Sequence, residues 1–446
     1  MFLSNSSGPG FRRVLALADD LSGAAETAAA LGLHGTLVLS AAGAGACDDH
    51  AGAVARGRPD ACHAHARSGA GDAPWVVVAD LDSRWLPPAE AAGSVHAALA
   101  GACPGTMLFK KADSLLRGNI SAEAVAYAAG AHAVVTALAL PVAGRTVRDG
   151  VVHLPGGPLH RTDAWRAEGR AAPASVADAL HGLVTEGVPL DRVRRGPGPL
   201  TDRLRDVAAR GLHPVCDAET DDDLDTIAEA VLLLGPEYRP LGTSALAAAL
   251  WRRSVARPGH QLAGTGRDHV PAAGAGRPLE PGGGTERRPV LVVVGTAEPT
   301  ATAQIAQLTA VGARHVAVSP DLLRRAGQGR TPEVPLVPGR VTVLGIDGSG
   351  GLDPGASVDV AAGLGRVVAM LRTPADLVLT GGETARRVLD ALGVRELAPL
   401  REIHHGAVHS RTPDGRAVVI RPGSFGGIDS LLSIARALGA DLPPHR

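Results

Sequence analysis

Apolar residues in the first half of the chain come in short unbroken runs, each stopped abruptly by polar residues. Val14-Leu15-Ala16-Leu17-Ala18 ends at Asp19-Asp20, Trp75-Val76-Val77-Val78-Ala79 ends in Asp80, Asp82, Ser83 and Arg84, and Gly105 to Phe109 leads straight into Lys110-Lys111. Runs this short and without alternation fit strands buried on both faces, as in a parallel sheet. Alanine-rich stretches follow them, Leu21 to Leu31 up to Gly32 and Ser121 to Ala131, with the composition of helices. Ala133 to Leu140 reads as a fourth strand, broken by Pro141 and followed by Gly144-Arg145-Thr146. Beyond it the pattern predicts a helix over Ser175 to Leu183 and a strand over Leu212 to Cys216. Asp221 to Leu234 reads as a helix with acidic residues in its first turn, followed by Leu241 to Ser244 and an alanine-rich segment ending near Trp251.

Between Arg257 and Arg288 the text turns to Gly, Pro, Ala and Arg, includes Gly282-Gly283-Gly284, and loses all apolar period. Such a segment reads as a linker. After it, strand, glycine loop and helix recur three times. Pro289 to Val294 turns at Gly295-Thr296 into a helix started by Pro299. Asp376 to Leu379 turns at Thr380-Gly381-Gly382-Glu383-Thr384 into a helix ended by Gly393. Ala417 to Ile420 turns at Arg421 to Gly427 into a helix from about Asp429 to Leu438. The expected fold is α/β with two domains, each a mainly parallel sheet flanked by helices, and an active site in the cleft between them. The expected bounds are 1–256, a flexible linker 257–288, and 289–446.

Composition removes several function classes. The 446 residues are 45% hydrophobic, 20% charged and 2% aromatic with a formal net charge of -1, which leaves no global attraction for nucleic acid or an anionic membrane and few base-stacking platforms. Cys47, Cys62, Cys103 and Cys216 form no CxxC pair and read as reduced thiols. His63 and His65 lack any zinc-site spacing. Met1 to Arg13 has no apolar leader and no run approaches a bilayer span, so the expected location is the cytoplasm.

The chemistry concentrates in two places. Lys110 and Lys111 are the only lysines in a chain that otherwise uses arginine, and Asp113, Ser114, Arg117 and Asn119 follow at once. Carboxylate, hydroxyl, guanidinium, amide and ammonium together can hold an anionic, hydroxyl-rich small molecule and move a proton. Asp19 and Asp20 stand at a strand end, where open α/β sheets collect ligands, although an Asp before a helix also serves as its cap. In the second half, glycine loops opening onto helix N-termini present free N–H groups to phosphate. There is no GxxxxGK[ST], no complete GxGxxG and no protein-kinase motif set. Anion-holding and phosphate-holding halves together point to phosphoryl transfer.

Several of these stretches, taken in order, resemble one family. Ala16 to Ala24 resembles the ADDLTGA motif of the four-carbon acid sugar kinases, Asp82-Ser83-Arg84 their ESR element, Lys110 to Asn119 their KKIDSTLRGN, and Pro141 to Thr146 their PANGRT. Gly295 to Gln304, Thr380 to Thr384 and Arg421 to Gly426 resemble their GSxSPxTxxQI, TGGDT and KxGGFG. The resemblance spans both halves. It implies an ATP-dependent kinase acting on the terminal hydroxyl of an erythronate, threonate or oxo-tetronate. Asp19, Asp20, Arg84, Lys110, Lys111, Asp113, Ser114, Arg117 and Asn119 would then line the acid site, and Thr296, Thr380, Gly381, Gly382, Glu383 and Gly423 would hold ATP. Arg117 or Arg84 would grip the substrate carboxylate, the lysines would neutralise charge, and Asp20, with Asp113 as rival, would accept the hydroxyl proton. Mg²⁺ is expected with ATP, without a nameable protein ligand. Ala297 and Glu298 replace a serine-richer turn beside the first loop, Glu383 replaces Asp, Ser424 a glycine and Arg421 a lysine. The competing readings are a catalytically silent nucleotide-binding regulator and, more remotely, a sugar-acid dehydrogenase. Neither the individual acid nor the oligomeric state is encoded in these motifs.

Overall fold

The computed structural model describes residues 13–32, 35–39, 75–103, 105–255, 287–327, 332–348, 357–423 and 426–442. The chain divides into two compact units, Met1–Ala263 and Gly264–Arg446. The expected linker 257–288 falls outside the described residues save its last two positions, as do His63, His65, Cys47 and Cys62. No helix among the described residues is long and apolar enough to cross a membrane.

In the first unit the strands are β1 (Arg13–Ala18), β2 (Gly35–Leu39), β3 (Trp75–Asp80), β4 (Met107–Lys111), β5 (Ala133–Ala137), β6 (Thr146–Arg148), β7 (Val151–Leu154), β8 (Gly157–Pro158), β9 (Thr185–Val188), β10 (His213–Cys216) and β11 (Tyr238–Gly242). Eight of them form a sheet in the order β2-β3-β1-β4-β11-β5-β10-β9, and every pairing in it is parallel. Strands β6, β7 and β8 form a small antiparallel sheet of their own. β1 is apolar throughout its buried length because helices cover the sheet on both sides, which is why its sequence does not alternate.

The chain leaves β1 toward β3 on one side and later returns to place β4 on the other. That reversal is a topological switch point, where the loops leaving β1 and β4 diverge and open a crevice at the carboxyl ends of the strands. Asp19-Asp20 and Ala112 to Asn119 are those two loops.

The second unit holds β12 (Val290–Val294), β13 (Arg314–Val318), β14 (Val341–Ile346), β15 (Asp376–Thr380), β16 (Glu396–His404), β17 (Ala407–Arg411) and β18 (Ala417–Arg421). Their order is β13-β14-β12-β15-β18-β17-β16, parallel as far as β18 and antiparallel beyond it. Val290, Val292, Val294, Val341 and Val343 pack on one face with Ala301, Ile305 and Leu308 of helix Pro299–Ala310 and Leu431, Leu432 and Ile434 of helix Ser430–Ala437. β12 is again flanked on one side by strands that follow it directly and on the other by β15, so a second switch point lies between β12 and β15.

Three local expectations differ from what is observed. The third strand runs to Lys111 rather than stopping at Phe109, so both lysines belong to β4. The helix expected over Ser175 to Leu183 is a single turn, Val176–Ala179, capped by the Ser175 side chain. Cys103 is disulfide-bonded, which corrects the expectation of a reduced thiol there, while Cys216 is free and buried.

Candidate functional site

Asp19 and Asp20 follow β1 directly and do different work. Asp20 is the N-cap of helix Leu21–Ala30, with Oδ1 accepting from the Gly23 N–H at 2.8 Å and Oδ2 from Ser22 Oγ at 2.8 Å. Asp19 is 3% exposed. Its Oδ2 accepts from Arg84 Nε at 2.8 Å, and its Oδ1 has no hydrogen-bond partner among the described residues. Arg84 also reaches Asp20 Oδ2 through Nη1 at 2.8 Å and Asp113 Oδ1 through Nη2 at 3.5 Å. One guanidinium therefore gathers three carboxylates from two loops of the chain.

Adjacent residues of a strand point to opposite faces, and the two lysines obey this. The Lys110 ammonium turns to helix Ile120–Ala128, pairs with Glu123 Oε2 at 3.0 Å and donates to the Lys111 carbonyl at 2.9 Å. Glu123 Oε1 in turn accepts from Ser83 Oγ. Lys111 turns to helix Leu21–Ala30, where a Cβ added to Gly23 would lie 3.0 Å from its Nζ and 2.9 Å from Asp20 Oδ1. Lys111 is buried and has neither an ion pair nor a side-chain hydrogen bond among the described residues.

Asp113 anchors the loop after β4. Its Oδ2 accepts from the N–H of Leu115 (3.0 Å) and Arg117 (3.3 Å) and from Arg117 Nε (2.9 Å), while Oδ1 accepts from Arg117 Nη2 at 2.8 Å. Those bonds hold a tight loop in which Leu116 adopts φ 61°, a left-handed conformation uncommon for leucine. Gly118 follows at φ 80°, where a Cβ would come within 3.1 Å of Asp19 Oδ2. Asn119 Nδ2 donates to the carbonyls of Ser83 and Leu86, both at 2.8 Å, and so ties this loop to the one after β3. Ser114 Oγ accepts from Arg145 Nη1, and the Leu115 carbonyl from Trp165 Nε1 at 2.6 Å. Asp19, Lys110, Asp113, Arg117 and Glu123, with Ala112, Ile120 and Leu241, line a small recess that is partly open to solvent.

Charge in this cluster is balanced by direct contact between opposite charges. Burial alone would raise the Asp19 carboxyl, but Arg84, Lys110 and Lys111 hold it below its ordinary value. Asp113 is likewise buried, and Arg117, Arg84 and Lys111 keep it well below the usual carboxylate range. Arg84 is pushed well above its ordinary value, since Asp19, Asp20 and Asp113 outweigh its burial. Glu123 moves the other way: burial raises it by more than Lys110 lowers it.

In the second unit the three glycine loops converge at the carboxyl ends of the adjacent strands β12, β15 and β18. Thr296 Oγ1 accepts from the Glu298 N–H at 3.2 Å, and Glu298 is the N-cap of helix Pro299–Ala310 without a side-chain capping bond. Thr380 is buried and donates to the Val293 carbonyl at 3.2 Å. Gly381, at φ 87°, is the N-cap of helix Gly382–Ala391, which also lacks a side-chain cap, so its first N–H groups stay available to an anion. Gly381 and Gly423 lie back to back, each so placed that an added Cβ would approach the other's Cα to 3.8–3.9 Å. A Cβ on Gly295 would fall 1.8 Å from Thr384 Oγ1, so only glycine lets that helix close on the first loop. Glu383 pairs with Arg387 at 2.7 Å one turn along the same helix. Arg421 is buried, with Nη2 donating to Gln304 Oε1 at 2.6 Å, and Gln304 Nε2 donates to the Gly427 carbonyl at 2.9 Å, locking the third loop to the first helix. Ser424 lies outside the described residues.

Sequence reasoning missed Glu123, Arg145, Trp165 and Gln304 as parts of these sites. Glu123 sits in an alanine-rich helix and looks like a solvated carboxylate. Arg145 had been visible as a cation in a small-residue turn, and a lone arginine there carries no role by itself.

Two family models match the chain, a sugar-binding N-terminal domain over residues 14–250 and a nucleotide-binding C-terminal domain over residues 341–431. A D-threonate kinase of Cupriavidus necator is 32% identical, with 96% of this chain and 99% of the relative covered. A 3-oxo-tetronate kinase of the same organism is 28% identical, covering 83% and 88%. A solved structure from Salmonella typhimurium LT2 has the same fold, with a TM-score of 0.68 at 19% identity over 95% of this chain and 99% of its own. The chain belongs to the four-carbon acid sugar kinase family.

Two stability measurements check the site's electrostatics. Lys110→Met strands the Glu123 carboxylate in a buried position and is expected to cost about 3–5 kcal/mol in urea unfolding, most of it recovered in Lys110→Met/Glu123→Gln. Equal losses in the single and double variants would show that the pair is not what holds β4 to its helix. The second concerns pH. Because the Asp113 carboxyl lies below its ordinary value of about 3.9 in the folded state, the folded protein binds fewer protons than the unfolded chain as that value is crossed. Its contribution is complete above that value and is lost as pH falls through the folded value. Asp113→Asn should therefore be less stable at neutral pH and lose stability less steeply below about pH 4.

Proposed function

We propose that this protein is an ATP-dependent kinase that phosphorylates the terminal hydroxyl of a four-carbon sugar acid in the cytoplasm, with D-threonate the first acid to test. The observation that carries the reading is the pair of switch points. One is lined by carboxylates and cations suited to a polyhydroxy acid, the other by three glycine loops and an uncapped helix N-terminus suited to a polyphosphate. The names of the relatives favour threonate over an oxo-tetronate, since the D-threonate kinase is the more similar and the more fully covered.

ATP, when bound, supplies the phosphoryl group. Phosphate oxygens fit the backbone N–H groups at Gly382 and Glu383, while the Gly381 N–H is spent on the Arg421 carbonyl at 2.8 Å, and the absence of side chains at Gly381 and Gly423 allows close approach. Thr296 and Thr380 flank these loops. No group of three or more His, Cys, Asp or Glu among the described residues could hold a metal, so Mg²⁺ would be carried chiefly by phosphate oxygens and water, as is common for this ion. The Lys111 ammonium, buried and without an ion pair among the described residues, would offer a positive charge to the phosphoryl group as it gains negative charge.

Asp19 is the assigned proton acceptor. Both oxygens of Asp20 and of Asp113 are already engaged, whereas Asp19 Oδ1 is buried beside the recess with no partner and can take a substrate hydroxyl. Arg84 holds Asp19 and Asp20 in place, and Asp113 with Arg117 fixes the loop that carries Ser114 and Asn119.

The test is ADP release with ATP, Mg²⁺ and a panel of D-threonate, D-erythronate and 3-oxo-tetronate. Acid-dependent ADP is expected, and ATP binding without ADP from any acid would indicate a regulator instead. Asp19→Asn should lower kcat on the order of 10²-fold or more with the KM for ATP nearly unchanged. Asp20→Asn, which keeps a capping oxygen, should cost less. The opposite ranking would move the base to Asp20.

A further inference from the structure

We propose that Arg145 is the receptor for the substrate carboxylate, the side chain that makes this site choose a sugar acid over the matching neutral polyol. The proposal rests on the sugar-acid kinase reading and adds a residue to it. The expectation from sequence gave the carboxylate to Arg84 or Arg117, and counting their partners argues against both. Arg84 spends Nε on Asp19, Nη1 on Asp20 and Nη2 on Asp113. Arg117 spends Nε and Nη2 on Asp113 in a bidentate pair. Lys110 is committed to Glu123 and a carbonyl. Of the cations in this cluster, only Lys111 and Arg145 form no ion pair among the described residues.

Of these two, Arg145 has the shape for a carboxylate. It is half-buried and forms no ion pair among the described residues, and its single side-chain bond is from Nη1 to the neutral Ser114 hydroxyl. That bond tethers one end of the guanidinium and leaves the Nε/Nη2 edge, with its two parallel N–H bonds, without a partner among the described residues. Such an edge matches the two oxygens of a carboxylate in a way that a lysine point charge cannot.

The backbone is placed to aim it. Arg145 follows the 3-10 turn Pro141–Ala143 at the carboxyl end of β5, and its N–H and carbonyl pair with those of Leu140 at 3.1 and 2.8 Å. From there it reaches the loop after β4, at Ser114. The side chain is therefore preset before any ligand arrives, which reduces the entropy lost on binding. Burial disfavours its charge while Asp113 and Glu26 support it, the situation of a cation completed by an incoming anion.

The experiment compares D-threonate with D-threitol, which replaces the carboxylate by a neutral hydroxymethyl group. Arg145→Ala should lose on the order of 10²-fold in kcat/KM for D-threonate, mostly through KM. Its kcat/KM for D-threitol and its KM for ATP should stay within about twofold of the parent. Arg145→Lys should recover part of the loss. Equal losses on acid and polyol would make Arg145 a structural support, and no loss on the acid would remove it from the site. Calorimetric titration of D-threonate into parent and Arg145→Ala, without nucleotide, separates this proposal from the kinase reading. If the parent binds the acid but turns nothing over, the kinase reading fails while loss of binding in the variant still supports the receptor. Equal binding by parent and variant, or no binding by the parent, overturns the receptor.

Discussion

The first unit's site depends on one guanidinium. Asp19, Asp20 and Asp113 come from two loops and would repel one another across a largely dry space, yet Arg84 contacts all three. A buried carboxylate without such a partner takes up a proton, and three of them together would do so readily. Arg84 helps to hold Asp19 and Asp113 below their ordinary values, and its Nη1 contact braces the helix cap at Asp20. It also decides which cations remain for a ligand, because each donor spent on a protein carboxylate is lost to an anionic substrate. Arg84 is therefore better understood as the organiser of the site than as its anion receptor.

The same topology serves both units. In each, the chain leaves a central strand in one direction, comes back on the other side, and so opens a crevice between two diverging loops. What fills the crevice differs by side-chain content. Acidic and basic residues after β1 and β4 make a polar recess with an unpartnered acceptor, whereas glycines after β12, β15 and β18 leave backbone N–H groups as the chief donors. Specificity for a polyhydroxy acid needs positioned side chains, and specificity for phosphate needs bare backbone.

How much of this was legible in the sequence follows from the range of the interactions. Buried parallel strands and their glycine turns write themselves locally, so β1, β3, β12, β15 and β18 and the helices after them can be found from apolar runs alone. The strands β13, β16 and β17 are partly exposed or antiparallel and leave no such run. Among site residues, those near Lys110 could be singled out because unlike functional groups crowd together there. Glu123, Arg145 and Trp165 could not, since each acts on that loop from an element its own surroundings do not advertise. That the lone pairs of Asp20 are used by Ser22, Gly23 and Arg84 could not be read from the sequence, because it depends on where a distant strand delivers Arg84.

The lysine pair shows why proximity in sequence misleads even where it correctly marks a site. Had the strand ended at Phe109, both ammonium groups would hang from one loop and could share one anion. Because β4 continues through Lys111, the twofold period of the strand sends them to opposite faces of the sheet. Lys110 is absorbed by Glu123 and becomes part of the packing between sheet and helix, while Lys111 lies buried beside the N-terminus of helix Leu21–Ala30 without an ion pair among the described residues. Two identical neighbours thus hold different offices, and a two-residue extension of one strand is what separates them. The substitution tolerance of the two positions should differ for the same reason: burial opposite a fixed carboxylate constrains Lys110 through stability, and an unpaired ammonium constrains Lys111 through whatever anion it meets.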